Sequence, residues 1–203
     1  MVNQQIQEST AHYSHKKDVV MAGALTEIHN ATEQCLEQAE EIIAEYWMWV
    51  AKSNKALKQA KSQAHSSGDT TGVKAKKMAY TGPRIEKMQS GSGSNKRVKP
   101  RIIWCFYPYS DMRLKSGTPK ANSAVKFSQM GQRIKMTSNK EYSQSSLVRR
   151  SVGWDASKML KTEMKLMPIR ERLEALNKAR VELSKVDKRI NRITKLYVEQ
   201  TYD

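Results

Sequence analysis

From residue 18 to residue 65, apolar or small side chains return every three or four positions, at Leu25, Ile28, Cys35, Ala39, Ile42, Tyr46, Trp49, Ala56 and Ala60. A second row lies seven apart at Leu36, Ile43, Val50 and Leu57. Together they make the wide stripe of an amphipathic helix, with no proline inside and only Gly23 to weaken it. At 1.5 Å per residue such a helix is about 70 Å long, more than a compact domain can cover. The chain is therefore predicted to carry a coiled-coil arm, or a helix broken where Tyr46-Trp47-Met48-Trp49 crowds both faces. Ser66-Ser67-Gly68-Asp69 supplies the stop. Residues 1–17 are polar and without periodicity, and read as a flexible lead-in whose His12 and His15 are surface residues, not metal ligands.

The other end of the chain repeats the pattern. Asp155 is a good N-cap for a helix over 156–167, and Pro168 suits the first position of a further helix, so a bend is expected there. Beyond it the stripe runs Leu173, Leu176, Leu183, Val186, Ile190, Ile193 and Tyr197. Glu33, Glu37, Glu40, Glu41 and Glu45 load the first helix with negative charge, and Arg180, Lys185, Lys188, Arg189, Arg192 and Lys195 load the second with positive charge. An antiparallel pair would set these side by side. The stripes fit a stalk within one chain or, equally, a homodimer.

Between the helices the composition changes. Of a formal net charge of +16, residues 72–150 hold nearly all, with 18 Lys and Arg against Glu86, Asp111 and Glu141. The cations alternate with apolar and aromatic residues. Lys96-Arg97-Val98-Lys99-Pro100-Arg101 runs into Ile102-Ile103-Trp104-Cys105-Phe106-Tyr107, the best strand, closed by Pro108. Weaker strands are predicted at 123–128 and 133–136, joined by a hairpin loop at 129–132; in the second, Arg133 and Lys135 share one face and Ile134 and Met136 the other. The Gly/Ser run at 89–95 lacks the Gly-Lys-Ser/Thr of a phosphate-binding loop and reads as a connector. The expected fold class is α+β: lead-in 1–17, long helix 18–65, basic module with a short β-sheet at 66–150, and helices at 151–203.

Several chemistries are disfavoured. Cys35 and Cys105 stand alone, so a structural zinc site is not expected and both read as reduced buried thiols. The four histidines all precede the basic module, and Asp111 and Glu141 are lone acids, not the paired carboxylates of a metal-dependent nuclease. Tyr107, Tyr109 and Tyr142 are nucleophiles only in principle. No signal peptide or membrane span is legible, which points to a cytoplasmic protein without a membrane partner. A binder is expected, not an enzyme, and no cofactor or metal.

A basic face built on a strand suits a phosphodiester backbone, where each Lys or Arg neutralises a phosphate and releases a counterion. The candidate contacts are Arg84, Lys96, Arg97, Lys99, Arg101, Arg113, Lys115, Lys120, Lys126, Arg133, Lys135, Arg149 and Arg150. Double-stranded DNA is the leading partner, because seven Arg offer the planar fork that reads guanine. Two other readings stay open: an RNA or single-strand binder stacking bases on Trp104, Phe106, Tyr107 and Tyr109, and a helical adaptor whose charge is incidental. The rings equally suit a strand core, and a basic run equally suits a solvated face.

The residues Arg84-Ile85-Glu86-Lys87-Met88, Lys99-Pro100-Arg101-Ile102-Ile103-Trp104 and Tyr107-Pro108-Tyr109-Ser110, with the Trp154-Asp155 junction, carry a resemblance. In length, basic centre and helical ends the chain resembles the MobI-type auxiliary mobilisation proteins of bacterial conjugative plasmids and integrative elements. The resemblance implies a protein that binds the origin of transfer and helps a relaxase begin strand transfer without nicking DNA itself. It supplies no catalytic residues to carry over.

Overall fold

The computed structural model describes residues 2–68, 72, 76–90, 97–107, 131–137 and 141–200, without the side chains of 2–19, 90, 97, 98 and 197–200. Its elements are α1 (Val2–Ser66), β1 (Thr81–Ser90), β2 (Arg97–Phe106), β3 (Gln132–Arg133), α2 (Gln144–Val148) and α3 (Ala156–Gln200). The strands form one antiparallel sheet in the order β1-β2-β3. The class is α+β, with long terminal helices flanking a small sheet.

The chain gathers into two units. One holds Met1–Leu36 and Glu171–Asp203, the outer parts of α1 and α3; the other holds Glu37–Arg170, with the whole sheet. In the helical unit Cys35, Leu36 and Leu173 are buried, and Ile28, Leu176, Leu183 and Ile190 are half-buried. Val20, Leu25, Val186, Ile193 and Leu196 are exposed, Val20 to 64% and Val186 to 47%. The two stripes are thus covered along only part of their width.

In the sheet unit the core is Tyr46, Val50, Ala79, Trp104, Ile134, Tyr142, Leu147 and Met159. Trp104, on the central strand, is fully buried and bonded on every side. Its backbone N–H donates to Tyr142 Oη (3.0 Å), its carbonyl accepts from the Ile134 N–H (2.9 Å), and its indole N–H donates to Glu163 Oε2 (2.7 Å). Arg170, two turns along α3, closes on Glu163 with two parallel contacts of 2.9 Å and donates Nε to the Ile102 carbonyl (3.3 Å). The guanidinium carbon also lies 5.1 Å from the Tyr142 ring centre. Both charged side chains are almost wholly removed from water, about 10% exposed. Such a pair persists only with this degree of satisfaction.

α1 protects the outer edge of β1. Successive alternate carbonyls accept side-chain donors: Lys77 from Trp154 Nε1 (2.9 Å), Ala79 from Asn54 Nδ2 (2.8 Å), Thr81 from Tyr46 Oη (2.6 Å) and Pro83 from Trp47 Nε1 (2.9 Å). Asn54 Oδ1 also accepts the Ala79 N–H (2.9 Å). Three of these four donors are on α1, so the helix stands in for a neighbouring strand along an edge that otherwise invites foreign pairing. Trp47 seats its ring against Gly82, where a Cβ would fall within 2.7 Å of ring atoms. Only glycine permits that approach.

Several expectations change. Tyr46-Trp47-Met48-Trp49 does not break α1, because its rings diverge: Tyr46 into the core, Trp47 to the sheet edge, Trp49 onto Trp154 with centroids 5.5 Å apart, and Met48 into solvent. Pro168 sits inside α3 instead of starting a new helix. Proline leaves the Met164 carbonyl unbonded, and both residues are solvent-exposed, where water satisfies it. β1 was not expected, since Gly82-Pro83 reads as loop punctuation; on an edge strand a proline withholds no ladder bond. The strand read at 133–136 shrinks to Gln132–Arg133, although Ile134 stays buried and Lys135 exposed. Residues 123–128, and 129 and 130 of the expected hairpin loop, lie outside the described residues. α1 begins at Val2, where the sequence reading begins it at residue 18. α2 was missed in a polar stretch; Ser143 caps it and Leu147 anchors it in the core.

The partners of Glu45 differ from the expected ones. Glu45 meets Lys158 (2.6 Å) and Lys165 (3.1 Å) near the start of α3, and Lys185 turns to Glu182 of its own helix (2.7 Å). Glu163 and Arg170 fix the first turns of α3 on the sheet, which brings those lysines to Glu45. Asp155 stands as the expected N-cap: its carbonyl accepts the Met159 N–H, although its Oδ1 turns back to the Val152 N–H (2.9 Å).

Replacing Arg170 by Met strands a buried carboxylate. A loss of about 3–5 kcal/mol in urea unfolding is expected, largely recovered when Glu163 is also changed to Gln; equal losses in the single and double variants would contradict the coupling. A second prediction concerns pH. Burial raises the Asp155 carboxyl above its ordinary value, while hydrogen bonds from Lys158 and Lys165 lower that of Glu45. Glu45 then contributes stability that is present above the usual carboxylate range and lost on acidification. Asp155 acts oppositely: the folded state holds its proton longer than the unfolded one, so stability falls as pH rises through its raised value. Asp155→Asn, which keeps an oxygen for Val152 N–H, should raise the thermal midpoint at pH 7 and lose that advantage near pH 3.

Candidate nucleic-acid interface

Side chains alternate along a strand, and the register of β1 and β2 sorts them onto two faces. Thr81, Pro83 and Ile85 pair with Phe106, Trp104 and Ile102 on the face that carries the core. The opposite face takes Gly82, Arg84, Glu86 and Met88 from β1, paired with Cys105, Ile103, Arg101 and Lys99 from β2. β3 adds Arg133, opposite Cys105, and Lys135 continues the alternation. One end of this face is closed by Trp47, whose ring lies edge-on to Tyr107 with centroids 5.7 Å apart. Beyond it the face carries its cations and Glu86 around buried Ile103 and Cys105 and half-buried Met88.

Glu86 organises it. Arg84 Nη2 donates to Glu86 Oε1 at 3.0 Å, and Arg133 Nη2 lies 2.8 Å from Oε2, an ion pair that lacks the alignment of a hydrogen bond. Both Arg84 and Glu86 are mostly buried, 17% and 18% exposed, whereas Arg133 is 55% exposed. Burial works against the Arg84 charge, but Cys105, Tyr107 and Glu86 beside it outweigh that and hold its pKa above the usual value. Among the described residues its buried Nε has no hydrogen-bond partner. Arg101, across from Glu86, and Lys135 are exposed, and Lys99 is half-buried. One acid thus fixes two arginines in place, with Arg101 and Lys135 exposed beside them.

Of the three tyrosines named from sequence, Tyr107 and Tyr142 are described. Burial raises the Tyr107 phenol above its ordinary pKa, and burial pushes Tyr142 up to about 12. Tyr142 is occupied as the acceptor of the Trp104 N–H. The Cys105 thiol is likewise raised by burial. Among the described residues no three His, Cys, Asp or Glu side chains gather where they would hold a metal, and no helix is long and apolar enough to cross a membrane.

A family comparison places this mixed α+β chain: the MobI protein family matches residues 35–184. The chain belongs to the MobI family. The match contains the entire sheet unit and makes this an accessory protein of mobilisation. Neither the curated proteins nor the solved structures contain a match.

In this MobI chain the structure gathers Arg84, Lys99, Arg101, Arg133 and Lys135 onto one face. Arg97 pairs with Ser90 at the far end of β2, its side chain outside the described residues. Arg149 and Arg150 are not brought to that face. Arg150 lies over the Phe106 ring, 5.4 Å from its centre, on the core side, and its carbonyl accepts from Thr81 Oγ1. They are exposed at the end of α2 and form a separate basic point. Lys96, Arg113, Lys115, Lys120 and Lys126 lie outside the described residues, as does Tyr109. Sequence reasoning missed the role of Glu86, which it counted only as an acid. Its position, two residues from Arg84 in an alternating run, was the available signal.

Proposed function

We propose that this protein binds double-stranded DNA at the origin of transfer of a conjugative element and assists a relaxase there without cutting DNA itself. The observation that carries the reading is the second face of the sheet, where Arg84, Lys99, Arg101, Arg133 and Lys135 stand with Glu86 as the one acid among the described residues. Phosphate recognition needs such a surface, and the guanidinium fork adds base recognition. Family membership supports a place in mobilisation. The single-strand alternative loses its best ring, because Trp104 is fully buried and has no face to offer a base.

Binding to duplex DNA should weaken steeply with salt, each displaced counterion adding about 0.9 to the slope of log K against log salt. A slope steeper than about −3 is expected, and Lys99→Glu with Arg101→Glu should lower both affinity and slope. Parental binding by that double variant would move the interface elsewhere.

The reading extends to assembly. The outer unit has ten Lys and Arg and ten Asp and Glu, so its neutral surface, with Val186, Ile193 and Leu196 exposed, does not repel a second copy as the basic sheet unit would. A homodimer through these helices is proposed. Val186→Asp with Ile193→Asp should halve the mass in sedimentation and retain DNA affinity per chain to within a few-fold; a monomeric parent at tens of micromolar would end this part.

A further inference from the structure

The β1–β2 hairpin runs on beyond the core that holds it. β3 pairs only with Cys105 and Phe106, and the last buried contact toward the tip on β2 is the Ile102 carbonyl taken by Arg170 Nε. Past that point the strands continue through Glu86↔Arg101, Lys87↔Pro100, Met88↔Lys99, Gln89↔Val98 and Ser90↔Arg97. These five pairs extend about 17 Å at the usual strand rise. Lys87, Gln89 and Arg101 are exposed, Met88, Lys99 and Pro100 are half-buried, and Glu86 is mostly buried. Among the described residues no third strand pairs with this part of the hairpin, and a two-stranded ribbon by itself is marginal in water. Between residues 81 and 106 it also carries six Lys and Arg against Glu86, which is already engaged by Arg84 and Arg133. An anion laid along such an extension would add to its stability.

Its dimensions select the ligand. Two strands stand about 4.8 Å apart, and with side chains the ribbon is about 10 Å across. That width enters the major groove of B-DNA, about 12 Å wide, and not the minor groove of about 6 Å. The two faces of the ribbon differ as well. Arg101 and Lys99 share the face that leads back to Arg84 and Arg133, whereas Lys87 points the other way, across from Pro100. Resting on the duplex-binding reading above, we propose that the outer half of this hairpin enters the major groove as a β-ribbon, with Arg101 reading a guanine edge and Lys99 beside it. Arg133 and Lys135, nearer the core on the same face, meet the flanking phosphates.

The test uses the full chain and duplexes selected by it from a random pool, probed by dimethyl sulfate interference, which reports guanine N7 in the major groove and adenine N3 in the minor groove. Binding should be blocked by methylation at guanine N7. Arg101→Ala should lower affinity for the selected duplex by about tenfold or more and relax preference at one base pair. Arg133→Ala should weaken all sequences alike, and Lys87→Ala should change affinity less than twofold. Circular dichroism of each variant separates lost contacts from lost folding. Selection that succeeds but shows interference only at adenine N3, or an Arg101→Ala variant that loses affinity equally on every sequence, overturns the ribbon and leaves duplex binding standing. Failure to enrich or retain any duplex overturns the duplex-binding reading and the ribbon with it.

Discussion

The contact between the Trp104 indole and the Glu163–Arg170 pair fixes the sheet unit, because it ties the central strand to α3 where both are out of water. Desolvating a carboxylate and a guanidinium costs several kcal/mol per ion, which only a nearly complete set of partners offsets. That set is present: the carboxylate accepts Trp104 Nε1 and two guanidinium nitrogens, and Arg170 spends its third nitrogen on the Ile102 carbonyl. The result is directional where an apolar contact would slide. It sets the position of α3 on β2, and hence the lysines that meet Glu45 of α1. Tyr142 completes the arrangement by taking the Trp104 N–H that the short β3 leaves unpaired.

The placement of the cationic face follows from this. With one side of β2 given to Trp104 and Ile102, alternation turns Arg101 and Lys99 to the other side, and the register brings Arg84 and Glu86 beside them. α1 closes the outer edge of β1 through Tyr46, Trp47 and Asn54, so the sheet does not grow in that direction. Among the described residues, what is left open is a charged surface and a hairpin reaching beyond it. The family match contains this unit in full.

Much of the architecture was legible because it rests on period. The spacing of Leu25 to Ala60 and of Leu173 to Ile193 announces two long helices, and Arg101 to Tyr107 announces a strand. The alternation of Arg133, Ile134 and Lys135 gave the right faces even where the strand proved shorter. What escaped depends on three-dimensional partners. Pro83 punctuates a sequence yet rests on an edge strand, and Pro168 is tolerated on the wet side of a helix. Glu163 and Arg170 look like surface residues on a polar helix until Trp104 supplies the donor between them. Five candidate cations on one sheet face could be listed from sequence, but their separation from Arg149 and Arg150 needed the register and the Phe106 contact.

On the proposed reading, DNA is met by the sheet unit along one face and not by the helical ends. Hydrogen exchange followed by mass spectrometry, with the full chain free and saturated with duplex DNA, addresses it directly. The account predicts slowed exchange over 84–90, 97–101 and 131–135, with the outer parts of α1 and α3 unchanged. Protection confined to 171–200 with the hairpin unaffected would contradict it.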